Sequence, residues 1–360
     1  MSKWRFQWGV RGASVMGLFG LVAGCASVAD DYDSQEIESR GFSRTDTCFS
    51  VQVPGETVTH TVHGTLVSKG DFDRAVLFIH GGAGSRDAWA PANVLASRGY
   101  GVFTIDRLGY GESVYSGSGF ALSVDAHVEI THQIVQEMRA GTYGCDGHAT
   151  TAASGVFVAG QSLGGIIVEL YATRYDDEVD GIISTGYSTF PPSATLIELF
   201  NFVFPQILAG DDYVQLLPYD DDGFSQQCAD WMFYAPGAFP LVVDTICSQD
   251  APGTIIDGLT PSGDLLSVLA AGPAIQAGTS NVEAPVLFVQ ADHDAINTGA
   301  AGGPTGTEPD LQAAEASYWS DTCNCEVSVT HSGTLAGHLW QFHYQALSLF
   351  GEVADWLDSH

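Results

Sequence analysis

Short apolar runs alternate with amphipathic stretches along most of this chain, and the two patterns predict different elements. Runs rich in Val, Ile and Phe between Gly, Pro or polar residues predict buried strands. These runs occupy residues 47–53, 57–67, 74–80, 101–105, 155–160, 179–185, 284–290 and 325–330. Helical spacing of apolar residues predicts helices at about 89–97 and 123–139, after residue 162, after residue 309 and over about 340–357. The alternation predicts a mostly parallel sheet covered on both faces, opened by an antiparallel hairpin around Pro54 and Gly55.

The alternation of strands and helices stops between residues 187 and 282, where the chain is aromatic and punctuated by Pro and Gly. A region of this size between two strands predicts a cap or lid over a site. The predicted organisation is a core in two parts, residues 46–186 and 283–360, with the cap, 187–282, inserted between them. Residues 25–45 are acidic, lack apolar periodicity and predict a flexible tether.

The first 24 residues have the pattern of a cleaved secretory signal. Three basic residues precede an apolar run at 13–22, which is too short to span a bilayer as a helix. The end of this segment, Val-Ala-Gly before Cys25, resembles the lipobox of bacterial lipoproteins. That resemblance implies that Cys25 is the lipidated N-terminus of a protein anchored to the cell envelope. The alternative is an ordinary signal followed by a chance cysteine, which would give a secreted protein.

The composition indicates a globular protein with a strongly acidic surface. Of 360 residues, 45% are hydrophobic and 15% are charged, which excludes a disordered chain. The formal net charge is −31, and it becomes −34 without the signal because the remaining chain carries 9 basic and 43 acidic residues. Such a surface repels nucleic acid and anionic lipid headgroups, so we expect no nucleic-acid partner and no membrane contact except through the lipid anchor.

Six cysteines remain after Cys25, namely Cys48, Cys145, Cys228, Cys247, Cys323 and Cys325. In an exported protein an even number of cysteines predicts disulfides, here three, although the sequence permits about 15 pairings. A Cys228–Cys247 bond is favoured because both residues lie in the predicted cap and close a modest loop. The alternative of a metal site at Cys323-Asn324-Cys325 lacks a second Cys or His pair at ligand spacing, so no metal is expected.

A serine occupies the junction between one apolar run and the helix that follows it, in Gly160-Gln161-Ser162-Leu163-Gly164. A serine displayed on such a tight turn crowds its neighbours two residues away on each side, which explains glycine at both places. A serine in this setting is typical of a catalytic nucleophile. The alternative is a glycine-rich turn that merely packs the helix against the sheet.

Two further segments follow strands in the same way, His80-Gly81-Gly82-Ala83-Gly84 and Asp106-Arg107-Leu108-Gly109-Tyr110-Gly111-Glu112-Ser113. Together with the serine motif, they resemble the α/β-hydrolase superfamily, in its capped esterase-like and lipase-like branch with a serine nucleophile, over about residues 46–358. The resemblance implies the α/β-hydrolase fold, with a mostly parallel eight-stranded sheet, helices on both faces and an inserted cap. It also implies a catalytic triad in the chain order Ser, acid, His.

This resemblance assigns Ser162 as the nucleophile and places the acid just beyond the strand that ends at residue 290. Family members carry the acid a few residues past the strand, which corresponds to Asp294. Asp292 is the alternative acid, and its other role would be to cap the turn. The histidine expected after the last strand is His338, since it follows Gly337 as in the family.

Two other histidines and the oxyanion donors complete the candidate site. His331 is too close to the strand end, and His343 is expected inside the last helix, where it would pack or face solvent. The backbone N–H groups of Leu163 and Gly82 are the expected oxyanion donors, with Ala83 as the alternative to Gly82. His80 is expected to support that loop without taking a proton.

The serine disfavours the epoxide hydrolases and haloalkane dehalogenases of this fold, which carry aspartate at the nucleophile position. The predicted function is an exported serine hydrolase that cleaves a carboxylic ester or lactone through an acyl-enzyme, without a cofactor. An aromatic cap suggests a hydrophobic small-molecule ester as substrate, although cap aromatics more often form the core of the cap. The alternatives are a peptidase or amidase of the same fold, and a non-catalytic ligand-binding protein.

Overall fold

The computed structural model describes residues 41–145, 150–189, 194–248, 259–297, 311–331 and 336–360. The predicted signal and most of the predicted tether therefore lie outside the described residues. Ten strands are present in that part of the chain: β1 Ser43–Gln52, β2 Thr59–Ser68, β3 Arg74–Ile79, β4 Gly101–Ile105, β5 Gly155–Gln161, β6 Gly181–Thr185, β7 Tyr213–Gln215, β8 Leu259–Pro261, β9 Val286–Gln290 and β10 Val327–His331.

Eight of these strands form one sheet in the order β1-β2-β4-β3-β5-β6-β9-β10. The pairs β1/β2 and β2/β4 are antiparallel, and every other neighbouring pair is parallel. The prediction of a mostly parallel eight-stranded sheet that opens with an antiparallel hairpin is confirmed. The carboxyl ends of β3, β4, β5, β6, β9 and β10 consequently share one edge, where ligands bind in open α/β sheets.

Among the described residues, eight α-helices connect or cover the strands: α1 Val124–Ala140, α2 Leu163–Tyr175, α3 Ala194–Ala209, α4 Gln226–Met232, α5 Pro240–Ile246, α6 Ser262–Gly278, α7 Leu311–Thr322 and α8 Ala346–Ser359. The predicted helix near residues 89–97 is a run of 3-10 turns, Arg86–Arg98. Pro91 lies inside it and lacks the N–H that a regular helix would use. Within the described residues no helix has the length and apolarity needed to cross a membrane.

Successive strand residues point to opposite faces of the sheet and build two separate cores. In β3, Leu77 and Ile79 join the core beneath α1 and α2, whereas Val76 and Phe78 pack on the other face against Trp89. The closing helix α8 covers that second face, and its Phe350 packs 4.9 Å from the ring of Trp340. Both faces are therefore apolar and covered, as the continuous apolar runs predict.

The region predicted to be an irregular cap contains regular elements, and one of them belongs to the core. The elements α3, β7, α4, α5 and β8 lie between β6 and α6, and β7 pairs with β8 in a small antiparallel sheet. Helix α6 instead packs against α1 and α2 in the layer that covers the sheet. Its Gly278 explains the close approach to α2, since a Cβ there would lie 2.6 Å from Thr173 Cβ. The sequence pattern does not predict this helix, because it contains Pro273 and three glycines.

Three disulfides link the six cysteines that follow Cys25. The bonds are Cys48–Cys145, Cys228–Cys247 and Cys323–Cys325. The predicted Cys228–Cys247 pairing is confirmed and joins α4 to the end of α5. Because Cys323 and Cys325 bond to each other, they do not offer the two thiolates of a metal site.

Candidate active site

Ser162 lies in the turn between β5 and α2 and has the backbone angles φ 57° and ψ −120°. A positive φ is uncommon for a residue other than glycine, and it clusters at functional sites. The turn requires glycine on both sides, since a Cβ at Gly160 would lie 2.0 Å from the carbonyl oxygen of Gly164. A Cβ at Gly164 would lie 2.2 Å from the carbonyl oxygen of Ile79. The strand-turn-helix geometry thus displays the Ser162 side chain at the carboxyl edge of the sheet.

Asp294 lies in the turn after β9 and is completely buried. Its Oδ1 accepts hydrogen bonds from the N–H groups of Ile296 (2.9 Å) and Asn297 (3.1 Å). Its Oδ2 accepts from the Asn297 side-chain amide and from His338 Nδ1, both at 2.9 Å. Burial acts to raise the pKa of Asp294, but His338 and the donors of Asn297 outweigh it and lower the pKa. The carboxylate is therefore ionised at neutral pH, and the alternative, Asp292, is partly exposed in the same turn.

His338 lies in the loop between β10 and α8 and is only 2% exposed. Because its Nδ1 bonds to an ionised carboxylate, Nδ1 carries a proton and Nε2 is the basic nitrogen. The Gln161 side chain donates to the carbonyl oxygen of His338 at 3.3 Å, and the Leu339 N–H donates to Met232 O at 2.9 Å. The loop that carries His338 is therefore held both by Gln161, which precedes Ser162, and by Met232 at the end of α4.

The predicted oxyanion donors lie on either side of the same space. Leu163 begins α2, so its N–H is one of the first-turn donors without an acceptor inside the helix. Within the described part of the chain, no acceptor faces the N–H of Gly82. The N–H of Ala83 instead donates to Thr260 Oγ1 at 2.8 Å. Ala83, the alternative donor, is therefore engaged, and Gly82 is the better placed of the two.

A cavity of about 910 Å³, including its open mouth, connects these groups. Ser162 and His338 line it together with Gly82, Leu163 and Asn297. Most of the remaining wall is apolar, and its apolar side chains from the cap and α6 are Leu196, Leu199, Phe200, Leu216, Leu217, Met232, Leu265 and Val268. Among the described residues that line the cavity, none is Asp, Glu, Lys or Arg. The cavity therefore suits an uncharged, largely apolar ligand.

A sequence profile of the family described as "alpha/beta hydrolase fold" matches residues 74–216, from β3 through the Ser162 turn to β7. This segment belongs to the α/β-hydrolase superfamily. Comparison with curated protein sequences gives no significant match.

Solved structures of the same fold cover nearly the whole of this α/β hydrolase. The carboxylesterase CesB (YbfK) from Bacillus subtilis aligns with a TM-score of 0.59 and 13% identity, over 91% of this chain and 96% of its own. A thermophilic esterase from Thermogutta terrifontis aligns with a TM-score of 0.57 and 15% identity, over 87% and 98%. The monoacylglycerol lipase from Paleococcus ferrophilus gives 0.53 and 17%, over 89% and 99%. At these identities the similarity shows the fold.

His343 is a buried part of this α/β-hydrolase site that the sequence analysis assigned incorrectly. It lies before α8, after the short 3-10 turn Trp340–Phe342, and it neither sits in the last helix nor faces solvent. Its Nε2 accepts from the N–H groups of Gly337 and Tyr234, both at 3.1 Å, and its Nδ1 donates to Leu339 O at 2.9 Å. Burial lowers the pKa of His343 to about 4, so the ring is neutral at pH 7. His343 thus ties the loop of His338 to the cap.

The remaining candidates have different outcomes. His80 is buried, donates from Nδ1 to Gly81 O at 2.7 Å and accepts at Nε2 from the Arg107 N–H at 3.0 Å. Burial, assisted by the positive charge of Arg107, lowers its pKa well below the usual value, so it supports the loop as a neutral ring. Cys25 and the side chain of His331 lie outside the described residues. Asn297 was missed, although its position three residues after Asp294 is a typical spacing for a turn contact.

Proposed function

We propose that this α/β hydrolase is a serine hydrolase that cleaves a carboxylic ester with a hydrophobic acyl or alcohol group. The observation that carries the proposal is the juxtaposition at one cavity of Ser162 and His338, with His338 held by the buried carboxylate of Asp294. The esterase and lipase titles of structures with the same fold support it as analogy.

In the proposed reaction, Ser162 Oγ bonds to the substrate carbonyl carbon while its proton passes to His338 Nε2. The electron pair of the C=O bond moves onto the oxygen, which accepts hydrogen bonds from the N–H groups of Leu163 and Gly82. Asp294 stabilises the imidazolium and holds its Nδ1–H. The C=O bond then re-forms, the C–O bond to the alcohol breaks, and His338 gives its proton to the departing alkoxide. Water next gives a proton to His338 and bonds to the acyl carbon, and the acid is released as Ser162 Oγ departs and takes the proton back.

The cavity wall supports an apolar substrate. Eight apolar side chains from the cap and α6 face the space beside Ser162, with no described carboxylate or ammonium to pair with a charged terminus. A peptidase that trims small peptides needs such a group for the peptide's amine or carboxylate. We therefore expect ester cleavage to exceed cleavage of the matching anilide.

The test uses nitrophenyl esters of increasing acyl length, with the matching anilides, on the purified protein. Ser162→Ala should lower turnover by about 10⁵-fold to 10⁶-fold while the fold persists. A fluorophosphonate should label wild-type protein at Ser162 and leave Ser162→Ala unlabelled. Ser97→Ala, which changes an exposed hydroxyl far from the cavity, is the matched control and should label normally. Normal ester turnover by Ser162→Ala would refute the proposal.

We also propose that the protein acts outside the cytoplasm, anchored through lipidated Cys25. The support is the basic and apolar leader of the sequence and the presence of three disulfides, since such bonds persist in oxidising compartments. The strongly acidic chain has no evident electrostatic attraction to anionic lipid.

A further inference from the structure

The peptide unit between Gly81 and Gly82 has its two polar ends in different surroundings. Its carbonyl oxygen, on Gly81, accepts from His80 Nδ1 at 2.7 Å and from Arg107 Nη2 at 3.1 Å. Its N–H belongs to Gly82, which lines the cavity beside Ser162. The described chain has no cis peptide bond, so the C=O and N–H of this rigid unit point in opposite directions. Whatever fixes the carbonyl therefore fixes the direction of the N–H.

Arg107 is held for this contact by a buried ion pair. Its Nη1 donates to Asp264 Oδ2 at 2.8 Å, and Arg107 and Asp264 are 2% and 0% exposed. The hydroxyl of Tyr110 donates to the same oxygen at 2.6 Å, and its ring lies 4.3 Å from the guanidinium carbon. His127 Nε2 lies 3.6 Å from Asp264 Oδ1, but burial lowers the pKa of His127 to about 4, so it adds no charge at pH 7. Asp264 therefore balances the charge of Arg107, and the second nitrogen of the planar guanidinium bonds to the carbonyl oxygen of Gly81.

Ala83, the residue after Gly82, is held by the same segment of the chain that carries Asp264. Thr260, in β8, accepts the Ala83 N–H at 2.8 Å, and Asp264 follows in the first turn of α6. The bond to Thr260 also occupies the neighbouring N–H. Gly82 therefore lies between two anchored positions. It lines the cavity, and its N–H has no acceptor among the described residues.

We propose that Arg107 is a positioning residue for the oxyanion hole, acting through the Gly81–Gly82 peptide. Its guanidinium fixes the orientation of this peptide and, by drawing electron density to the carbonyl oxygen, makes the Gly82 N–H a stronger donor to the negative oxygen of the transition state. Asp264 keeps the cation in place. The inference rests on the proposed ester hydrolysis at Ser162 and adds a residue that does not touch the substrate.

The test removes the cation without leaving a buried charge unpaired. The double variant Arg107→Met, Asp264→Leu replaces the ion pair with apolar side chains of similar size, a change that buried pairs often tolerate. Arg107→Lys is the second variant, because an ammonium keeps the charge beside Asp264 but lacks the planar fork that reaches Gly81 as well. Ile134→Ala, a truncation in α1 away from the cavity, is the control for lost stability alone.

The readouts are kcat and KM for a nitrophenyl ester and the inhibition constant of a trifluoromethyl ketone, which forms a tetrahedral adduct with the serine. Loss of one oxyanion donor costs about 10²-fold to 10³-fold, so misorientation of the donor should lower kcat by about 10-fold to 100-fold. KM should stay within about threefold, and ketone affinity should fall in parallel with kcat/KM. Ile134→Ala should lower the melting temperature without this parallel loss.

Folded Arg107 variants with wild-type kcat and wild-type ketone affinity would overturn the inference about Arg107. The proposed function would still stand in that case, provided that Ser162→Ala loses activity. A loss of kcat without any loss of ketone affinity would also overturn it, because the oxyanion contact would then be intact. If wild-type protein neither hydrolyses esters nor reacts with fluorophosphonate, the proposed function fails and this inference fails with it.

Discussion

The buried ring of His343 makes the stability of the protein depend on pH in a way that can be calculated. The pKa of His343 is about 4 in the folded protein, whereas an unfolded histidine titrates near 6.5. Between these values the unfolded chain binds a proton that the folded chain excludes, so stability falls as the pH decreases from about 6.5 to about 4. From pH 7.5 to pH 5.0 this one group removes about 2 kcal/mol from the free energy of unfolding, since each pKa unit corresponds to about 1.4 kcal/mol.

The perturbation is His343→Gln, which retains an acceptor for Gly337 or Tyr234 and a donor for Leu339 but does not titrate. The free energy of unfolding is measured in denaturant at pH 7.5 and pH 5.0 for both proteins. Every other titrating group is shared, so the difference between the two pH-dependences isolates His343, and the variant should lose about 2 kcal/mol less than wild type on acidification.

A neutral truncation in α8, Val353→Ala, is the control and should lower the unfolding free energy equally at both pH values. At pH 7.5, His343→Gln should also lower kcat, because the loop it holds carries His338. If wild type and His343→Gln respond to pH alike within about 0.5 kcal/mol, the ring does not titrate as its burial and hydrogen bonds indicate.

Three further outcomes are expected. In a nitrophenyl ester assay, Asp294→Asn should lower turnover by about 10⁴-fold with little change in melting temperature, because it permits the wrong histidine tautomer. Asp292→Asn should stay active. The reverse result would move the acid to Asp292. Replacing both Cys228 and Cys247 by Ser should lower the free energy of unfolding by about 3 kcal/mol, since the bond closes a loop with a sequence separation of 19, and unchanged denaturant curves would contradict this. Cys25→Ser should move the protein from the membrane to the soluble fraction on cell fractionation, and membrane association that persists without acylation would contradict the lipid anchor.

The sheet and the serine turn could be predicted from the sequence because both depend on local signals. Buried parallel strands are apolar on both faces, so each is visible as a short continuous run. Gly160 is required by a contact of 2.0 Å within the turn itself, and Gly164 by a contact of 2.2 Å with the end of the neighbouring strand β3. The family resemblance also favours Asp294 over Asp292 as the acid, and in the structure the Asp294 carboxylate bonds to His338.

The elements within the cap and the contacts that support the site could not be predicted, because those contacts join residues that are far apart in sequence. Arg107 and Asp264 are separated by 157 positions, and His343 and Tyr234 by 109. No periodicity or spacing connects such pairs. The start of the closing helix, predicted at about residue 340, lies at Ala346 because of such a distant contact. Trp340 and Phe342 continue the helical pattern of apolar residues. The helix begins only at Ala346, because His343 has an extended backbone and bonds with the N–H groups of the His338 loop and the cap.

The cap is hydrogen-bonded to two loops of the candidate site. Met232 and Tyr234 bond to Leu339 and His343 around His338, and Gly237 O accepts the N–H of Tyr344. At the other loop, Thr260 bonds to Ala83. A rigid-body movement of the whole cap would break these buried hydrogen bonds together, each worth about 1 kcal/mol with a further cost for every partner left unsatisfied. It would also disturb the loops that carry His338 and the Gly82 N–H. The cap segments at 232–237 and 260 therefore help to set the geometry of the candidate site and cannot move away from it without breaking these bonds.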